Sequence, residues 1–234
     1  MPAARPDFEQ GLERLRGAVA EVAERIEAAR GRAGGDPVSL LPVTKGHPIE
    51  RVRQAAALGF KEFGENYLQE CQGKAALEPE FNWHLLGHLQ RNKAARAALL
   101  FGVVETIDTL SLAQQVSLAH RGREPLPVLC EVDFTEIPGR SGFKPGDLLQ
   151  VAPEVATLPG ISLGGLMTVA DPASPQRCFS ECRELREQLV AQLGRPLPVL
   201  SMGMSDDFEL AIAEGSTQVR LGSVLFGPRP PRPG

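Results

Sequence analysis

The residues best suited to chemistry fall where apolar runs end. Lys45 closes the run at 38–44 and precedes Gly46-His47-Pro48. A lysine set among apolar strand residues has its ammonium disfavoured by desolvation. Its amine is then a candidate for condensation with a carbonyl. The competing reading is a lysine that leaves a strand end for water. Val199-Leu200-Ser201 runs through Met202-Gly203-Met204-Ser205 toward a helix, and Arg220-Leu221 runs into Gly222-Ser223. Two small, amide-exposing turns on consecutive strands make a place for one phosphate. Arg220 shares a strand face with Gln218 and Gly222, opposite Thr217, Val219 and Leu221. With the apolar face against helices, the guanidinium points inward. There it either pairs with Glu131 or Asp133, or holds a ligand.

Other positions carry two readings each. Glu65 and Asn66 follow a strand in Phe63-Gly64-Glu65-Asn66-Tyr67. Glu65 suits a helix N-terminus as a dipole partner, and Asn66 is either an N-terminal cap or a group aimed across a site mouth. His84 closes another strand, as a catalytic imidazole or a satisfied polar plug. Met167 either packs on a ring or fills core. Cys178 and Cys182 lie four apart on a helix with no second ligand pair, which favours small helix-face residues over a metal site. No H-x-x-H pair, paired carboxylates or Ser-His-Asp order stands out, so no metal ligands and no catalytic residues are assigned.

The elements that must position these residues alternate. A helix at 7–32, with Leu12, Leu15, Val19, Val22 and Ile26 at three- and four-residue steps, precedes a strand at 38–44. Helices at 49–58, 67–77, 92–100, 111–121, 145–157, 175–193 and 206–214 then alternate with strands at 60–63, 82–85, 103–107, 127–132, 161–166, 198–201 and 217–221. Eight βα-type strands predict an α/β fold, a (β/α)8 TIM barrel, whose phosphate site sits after strands 7 and 8. A doubly wound sheet usually carries a G-x-G-x-x-G first turn, absent here. The proline-rich stretch 227–233 cannot be a helix, so the N-terminal helix is expected to stand in for the missing eighth one. No boundary divides 1–234, which reads as one domain. The net charge of −4 excludes a basic nucleic-acid footprint, and 42% hydrophobic residues suffice for a core. No apolar run reaches membrane-span length; the expectation is a soluble, cytoplasmic protein.

Taken in order, Val43-Thr44-Lys45, Phe63-Gly64-Glu65-Asn66-Tyr67, residues 83–93, Gly165-Leu166-Met167, Ser201-Met202-Gly203-Met204-Ser205-Asp206-Asp207 and Val219-Arg220-Leu221-Gly222 resemble one known family. It is the pyridoxal phosphate homeostasis protein family, also called the proline synthase co-transcribed homologue family. The likeness covers 38–227. It implies a single-domain, alanine-racemase-like barrel that binds pyridoxal 5′-phosphate (PLP) and takes part in PLP homeostasis. By position, Lys45 is similar to the family's Schiff-base lysine. Ser201, Gly203, Met204, Ser205, Gly222 and Ser223 resemble the phosphate shell, largely through backbone amides. Arg220 resembles the partner of the pyridine nitrogen, with Asn66 and Met167 in the pocket. An arginine there weakens the cofactor as an electron sink.

The implied role is a carrier without robust catalysis, with PLP-dependent apo-enzymes as partners and a monomeric state. Two alternatives stay open: a slow amino-acid racemase, and a phosphosugar isomerase or aldolase on the same barrel. A two-base racemase needs a second acid or base, and Tyr67 is the single tyrosine. The sequence departs from the family pattern at several points. His47 replaces a second lysine, Asp133 an asparagine, Arg140 a lysine, and Ser223 a threonine.

Overall fold

The computed structural model describes residues 5–135 and 137–229. Helix α1 (Arg5–Ala33) comes first, followed by β1 (Ser39–Pro42), α2 (Ile49–Ala57), β2 (Glu62–Glu65), α3 (Leu68–Leu77), β3 (Asn82–Leu85) and α4 (Ala94–Leu100). Then come β4 (Val103–Ile107), α5 (Leu110–Ala119), β5 (Leu126–Glu131), α6 (Pro145–Thr157), β6 (Ile161–Met167) and α7 (Pro175–Leu193). The chain ends in β7 (Val199–Ser201), α8 (Phe208–Ala213), β8 (Gln218–Leu221) and α9 (Ser223–Phe226). The eight strands pair in parallel in the order β1-β8-β7-β6-β5-β4-β3-β2. A Val43–Gly64 bridge joins the two ends, with Thr44 N–H donating to the Gly64 carbonyl at 3.0 Å. The expected barrel is therefore present.

Each helix buries one stripe against the sheet. On α1, Leu12, Leu15, Val22, Ile26 and Ala29 are buried at three-, four- and seven-residue steps, while the Glu and Arg between them face water. This helix packs against α2, α8 and α9 and so takes the place of an eighth outer helix, as the sequence required. Arg25 fastens it to α8 with bonds of 2.9 and 3.0 Å to Glu209, and its guanidinium lies 4.6 Å from the Phe208 ring centroid. Cys178 and Cys182 occupy the buried face of α7. Within α6, Pro153 has no N–H for the Leu149 carbonyl, and Gln192 Nε2 on α7 supplies the missing donor at 3.0 Å. Close approach decides one strand residue: a Cβ on Gly165 would lie 1.9 Å from the Val199 carbonyl oxygen of β7.

Most element bounds shift by one or two residues from expectation, and two of the differences matter for the site. Strand β2 starts and ends two residues later than expected, so Glu65 closes the strand instead of opening α3. Asp206 and Asp207 belong to a turn before α8, because Asp207 Oδ1 accepts the Met204 N–H at 2.6 Å. A four-residue helix, α9, follows β8 where none was expected. The expectation of a non-helical tail at 227–233 lies from 230 onward outside the described residues. Among the described residues no helix is long and apolar enough to cross a membrane.

Candidate functional site

The C-terminal ends of the strands surround a cavity of about 790 Å³. Of the predicted residues, Lys45, Asn66, Met167, Met204, Ser205, Arg220, Gly222 and Ser223 form its wall together with Val43, His47, Leu86 and Arg229. The C-terminal ends of β1, β2, β3, β6 and β8, the segments that follow them and the turn after β7 supply them, which is why positions far apart in sequence converge.

Lys45 sits in the turn just beyond β1, half-buried, with no hydrogen-bond or ion-pair partner among the described residues. Burial, followed by the charges of Arg229 and Arg220, holds its pKa below the ordinary lysine value, with Glu65 opposing. The free amine is therefore a larger fraction near neutrality than on a surface lysine.

Arg220 does point inward, 5% exposed. Its partners are not the expected carboxylates. Nη1 donates to Ser201 Oγ at 2.7 Å and Nη2 to the Thr168 carbonyl at 2.8 Å. Asp133 is held by Lys144 at 2.7 Å and by Thr135. Glu131 has one buried oxygen without a hydrogen-bond partner. The anion beneath Arg220 is Glu105 on β4. Ser201 Oγ donates to Glu105 Oε2 at 2.6 Å, Gln218 Nε2 to Oε1 at 2.8 Å, and His84 Nδ1 lies 2.8 Å from Oε1. Burial works against a charge on Glu105, but His84, Arg220 and Ser201 hold its pKa low. His84 is thus a buried polar plug inside the barrel, bonded through Nδ1 to Glu105 but with no hydrogen-bond partner at Nε2 among the described residues, and it is not on the cavity wall.

The phosphate-type turns are placed as expected, with two differences. Gly203 has φ +96°, and a Cβ there would meet Ala211 Cβ at 2.7 Å, so the turn after β7 requires glycine. Ser205 Oγ accepts the Val224 N–H at 3.3 Å, tying that turn to the start of α9. Ser201, however, is fully buried with its hydroxyl committed to Glu105, Gln218 and Arg220. The Met204 N–H is committed to Asp207. The Ser201 hydroxyl therefore ties Arg220 to the Glu105 carboxylate from behind the cavity wall, and Met204 lines the wall with its N–H turned to Asp207. Gly203 is buried and shapes the turn from behind the wall.

Glu65 also departs from its expected role. It is fully buried between β2 and α3, accepting from Thr44 Oγ1 at 2.6 Å and from Lys74 Nζ at 2.6 Å. Tyr67 caps the start of α3, half-exposed and off the cavity wall. Two structural residues escaped the sequence reading although signals existed. Glu105 is a lone carboxylate in Val103-Val104-Glu105-Thr106-Ile107, and Lys74 falls on the helical stripe of Leu68 and Cys71.

The residues present fit a phosphorylated aldehyde. An unpaired amine faces the cavity, a buried guanidinium stands on its floor, and small residues line the wall after β7 and β8.

Comparison with known proteins gives relatives for this arrangement. The family described as alanine racemase, N-terminal domain, matches residues 18–230. The pyridoxal phosphate homeostasis protein of Pseudomonas aeruginosa is 43% identical over 220 residues, covering 90% of this chain and 94% of that one. The protein of the same name from Escherichia coli K12 is 37% identical over 223 residues, covering 90% and 95%. Among solved structures, PipY of Synechococcus elongatus with PLP bound is 34% identical at a TM-score of 0.75, covering 88% of this chain and all of that one (100%). Alanine racemase of Corynebacterium glutamicum, 19% identical at a TM-score of 0.68, shares the fold over 94% of this chain and 61% of its own.

Proposed function

This chain belongs to the pyridoxal phosphate homeostasis protein family, and from that premise we propose that it holds PLP covalently on Lys45 as an intracellular carrier of the cofactor. One observation carries the reading: an unpaired, half-buried lysine and an inward arginine share one cavity with the two turns after β7 and β8. When bound, PLP supplies an aldehyde that condenses with a primary amine and releases water.

Each residue then has a physical task. Lys45 supplies the amine, partly deprotonated because its site is desolvated and flanked by Arg220 and Arg229. Ser205, Gly222 and Ser223 line the phosphate end, where small side chains let backbone amides approach an anion. Arg220 stands at the ring end as a donor that does not give up its proton. Its grip on Ser201 and the Thr168 carbonyl fixes its direction. Met167 and Leu86 provide apolar surface for a ring, and Asn66 a polar group at the wall.

We propose a monomer comprising one domain over 1–234, delivering PLP to PLP-dependent apo-enzymes. No residue is assigned as a second acid or base for racemisation.

The test is a near-visible spectrum of the purified protein with PLP, before and after borohydride, followed by peptide mapping. The expected result is a yellow band lost on reduction, with the adduct on Lys45 and none in Lys45→Ala. A protein that stays colourless with added PLP refutes the reading. Light scattering checks the mass against 25.2 kDa for one chain.

A further inference from the structure

Behind the Lys45 turn lies an ion-paired cluster that the proposed chemistry does not use. Lys74, on α3 and 6% exposed, directs its ammonium at three oxygens. They are the Thr44 carbonyl at 2.8 Å, Glu65 Oε1 at 2.6 Å and Glu70 Oε1 at 2.8 Å. Their places in the chain give the cluster its meaning. Thr44 immediately precedes Lys45, and Glu65 immediately precedes Asn66. Glu70 Oε1 also accepts the N–H of Gly46, immediately after Lys45, at 2.6 Å. The backbone on both sides of Lys45 is therefore held by one buried ammonium, directly on one side and through Glu70 on the other.

The other contacts of the turn lie at its two ends: the Thr44 N–H donates to the Gly64 carbonyl at 3.0 Å and Thr44 Oγ1 to Glu65 at 2.6 Å, and the His47 ring lies 5.4 Å from that of Phe226. Its internal backbone bond runs from the His47 N–H to the same Thr44 carbonyl, at 3.0 Å. Gly46 has φ +73°, a conformation glycine enters and leaves easily. Packing alone does not fix such a turn, since hydrocarbon contacts are non-directional. A buried ammonium is costly, and breaking its set of partners more so. Three oxygen acceptors satisfy its three N–H donors. The cluster fixes directions that an apolar residue at position 74 would leave open.

We propose that Lys74 is a positioning residue for the condensation at Lys45: by bridging Thr44, Glu65 and Glu70 it fixes the turn at 44–47 and with it the approach of the Lys45 amine. This rests on the Lys45 reading above. In that step the Lys45 nitrogen bonds to the aldehyde carbon, and the aldehyde oxygen leaves as water with two protons drawn from the amine and solvent. Lys74 exchanges none of these atoms. A misplacement of about 1 Å costs such a step about a hundredfold, so its loss should slow capture about ten- to hundredfold. Non-covalent binding, which depends on the phosphate and ring walls, should stay.

The experiment uses the full chain with Lys74→Met and Glu70→Gln. Three quantities are measured. They are amide exchange at Gly46 and His47 without cofactor, the rate of PLP capture on Lys45, and affinity for the PLP analogue with a methyl group in place of the aldehyde. For Lys74→Met the expected results are faster exchange at both amides, capture slowed about ten- to hundredfold, and unchanged analogue affinity. Glu70→Gln should affect the Gly46 amide and slow capture less. Unchanged capture in Lys74→Met, or analogue affinity falling in step with capture, overturns the proposal. If Lys74→Met does not fold, Glu70→Gln decides alone, and an unchanged capture rate in it is fatal. A wild-type chain that takes up neither PLP nor the analogue sinks the PLP reading itself and this inference with it. Capture equal in wild type and variants sinks the inference alone.

Discussion

Replacing His84 with glutamine tests the charged floor beneath Arg220. His84 is 4% exposed, with Nδ1 2.8 Å from Glu105 Oε1 and Nε2 3.9 Å from Glu62 Oε1. Burial opposes a charge on the imidazole, but the hydrogen bond to Glu105 and the carboxylate of Glu62 outweigh it. The pKa is pushed up to about 9 from 6.5. Below 6.5 both the folded and unfolded chains carry the proton, and the stabilisation is fully present. Above that value only the folded chain keeps it, and the stabilisation is lost as pH rises through 9. A shift of this size corresponds to about 3 kcal/mol. The assay is urea unfolding at several pH values, followed by the fluorescence of Trp83, the single tryptophan, buried on β3 beside His84. The stability gap between wild type and His84→Gln should close by about 3 kcal/mol from about pH 6 to about pH 10. A gap that stays constant across that range, or an imidazole titrating near 6.5 by NMR, refutes the reasoning.

Three further perturbations follow from particular contacts. Gly203→Ala places a Cβ 2.7 Å from Ala211 Cβ at φ +96°, so thermal melting should show a loss of about 1–3 kcal/mol together with weaker PLP uptake. A variant as stable as wild type would mean that the turn tolerates a side chain. Glu131 is pushed up to about 7, first by burial and then by Asp108, with Arg220 opposing. Its folded-state pKa lies above the unfolded one. Wild type should therefore lose stability from about pH 4.5 to about pH 7, and Glu131→Gln should lose less; parallel denaturation profiles would rule this out. Arg25→Ala removes two bonds to Glu209 and the cation over Phe208. Calorimetry should record a cost of about 1 kcal/mol, partly erased by salt, and an unchanged melting temperature would show that α1 is fastened by its apolar stripe alone.

The barrel was legible because its signals are local. Alternating apolar runs and amphipathic stretches fix strands and helices by period, and eight such units leave few ways to bury a parallel sheet. The period-two pattern of β8 was enough to turn Arg220 inward. The residues of the cavity wall were legible for a related reason: strand ends in a parallel barrel all point to one mouth, so Lys45, Asn66, Met167 and Gly222 had to meet. What each inward side chain would touch was a different matter. Arg220 and Ser201 are nineteen positions apart, and Ser201 and Glu105 ninety-six; partners across a barrel depend on register and stagger, which no local pattern carries. That is why no local pattern shows the Ser201 hydroxyl bonded to Glu105 and Arg220. Glu65 was misplaced because a two-residue slip in a strand boundary moves a carboxylate from a helix start to a buried ion pair. The partners of Lys74 likewise depend on α3 packing on the turn beside Lys45. The sequence by itself determined the architecture and the end of the barrel at which Lys45, Asn66, Met167 and Gly222 meet. Tertiary structure alone decided which polar groups hold one another in its interior, because a buried charge takes whichever partners the closed sheet brings within reach.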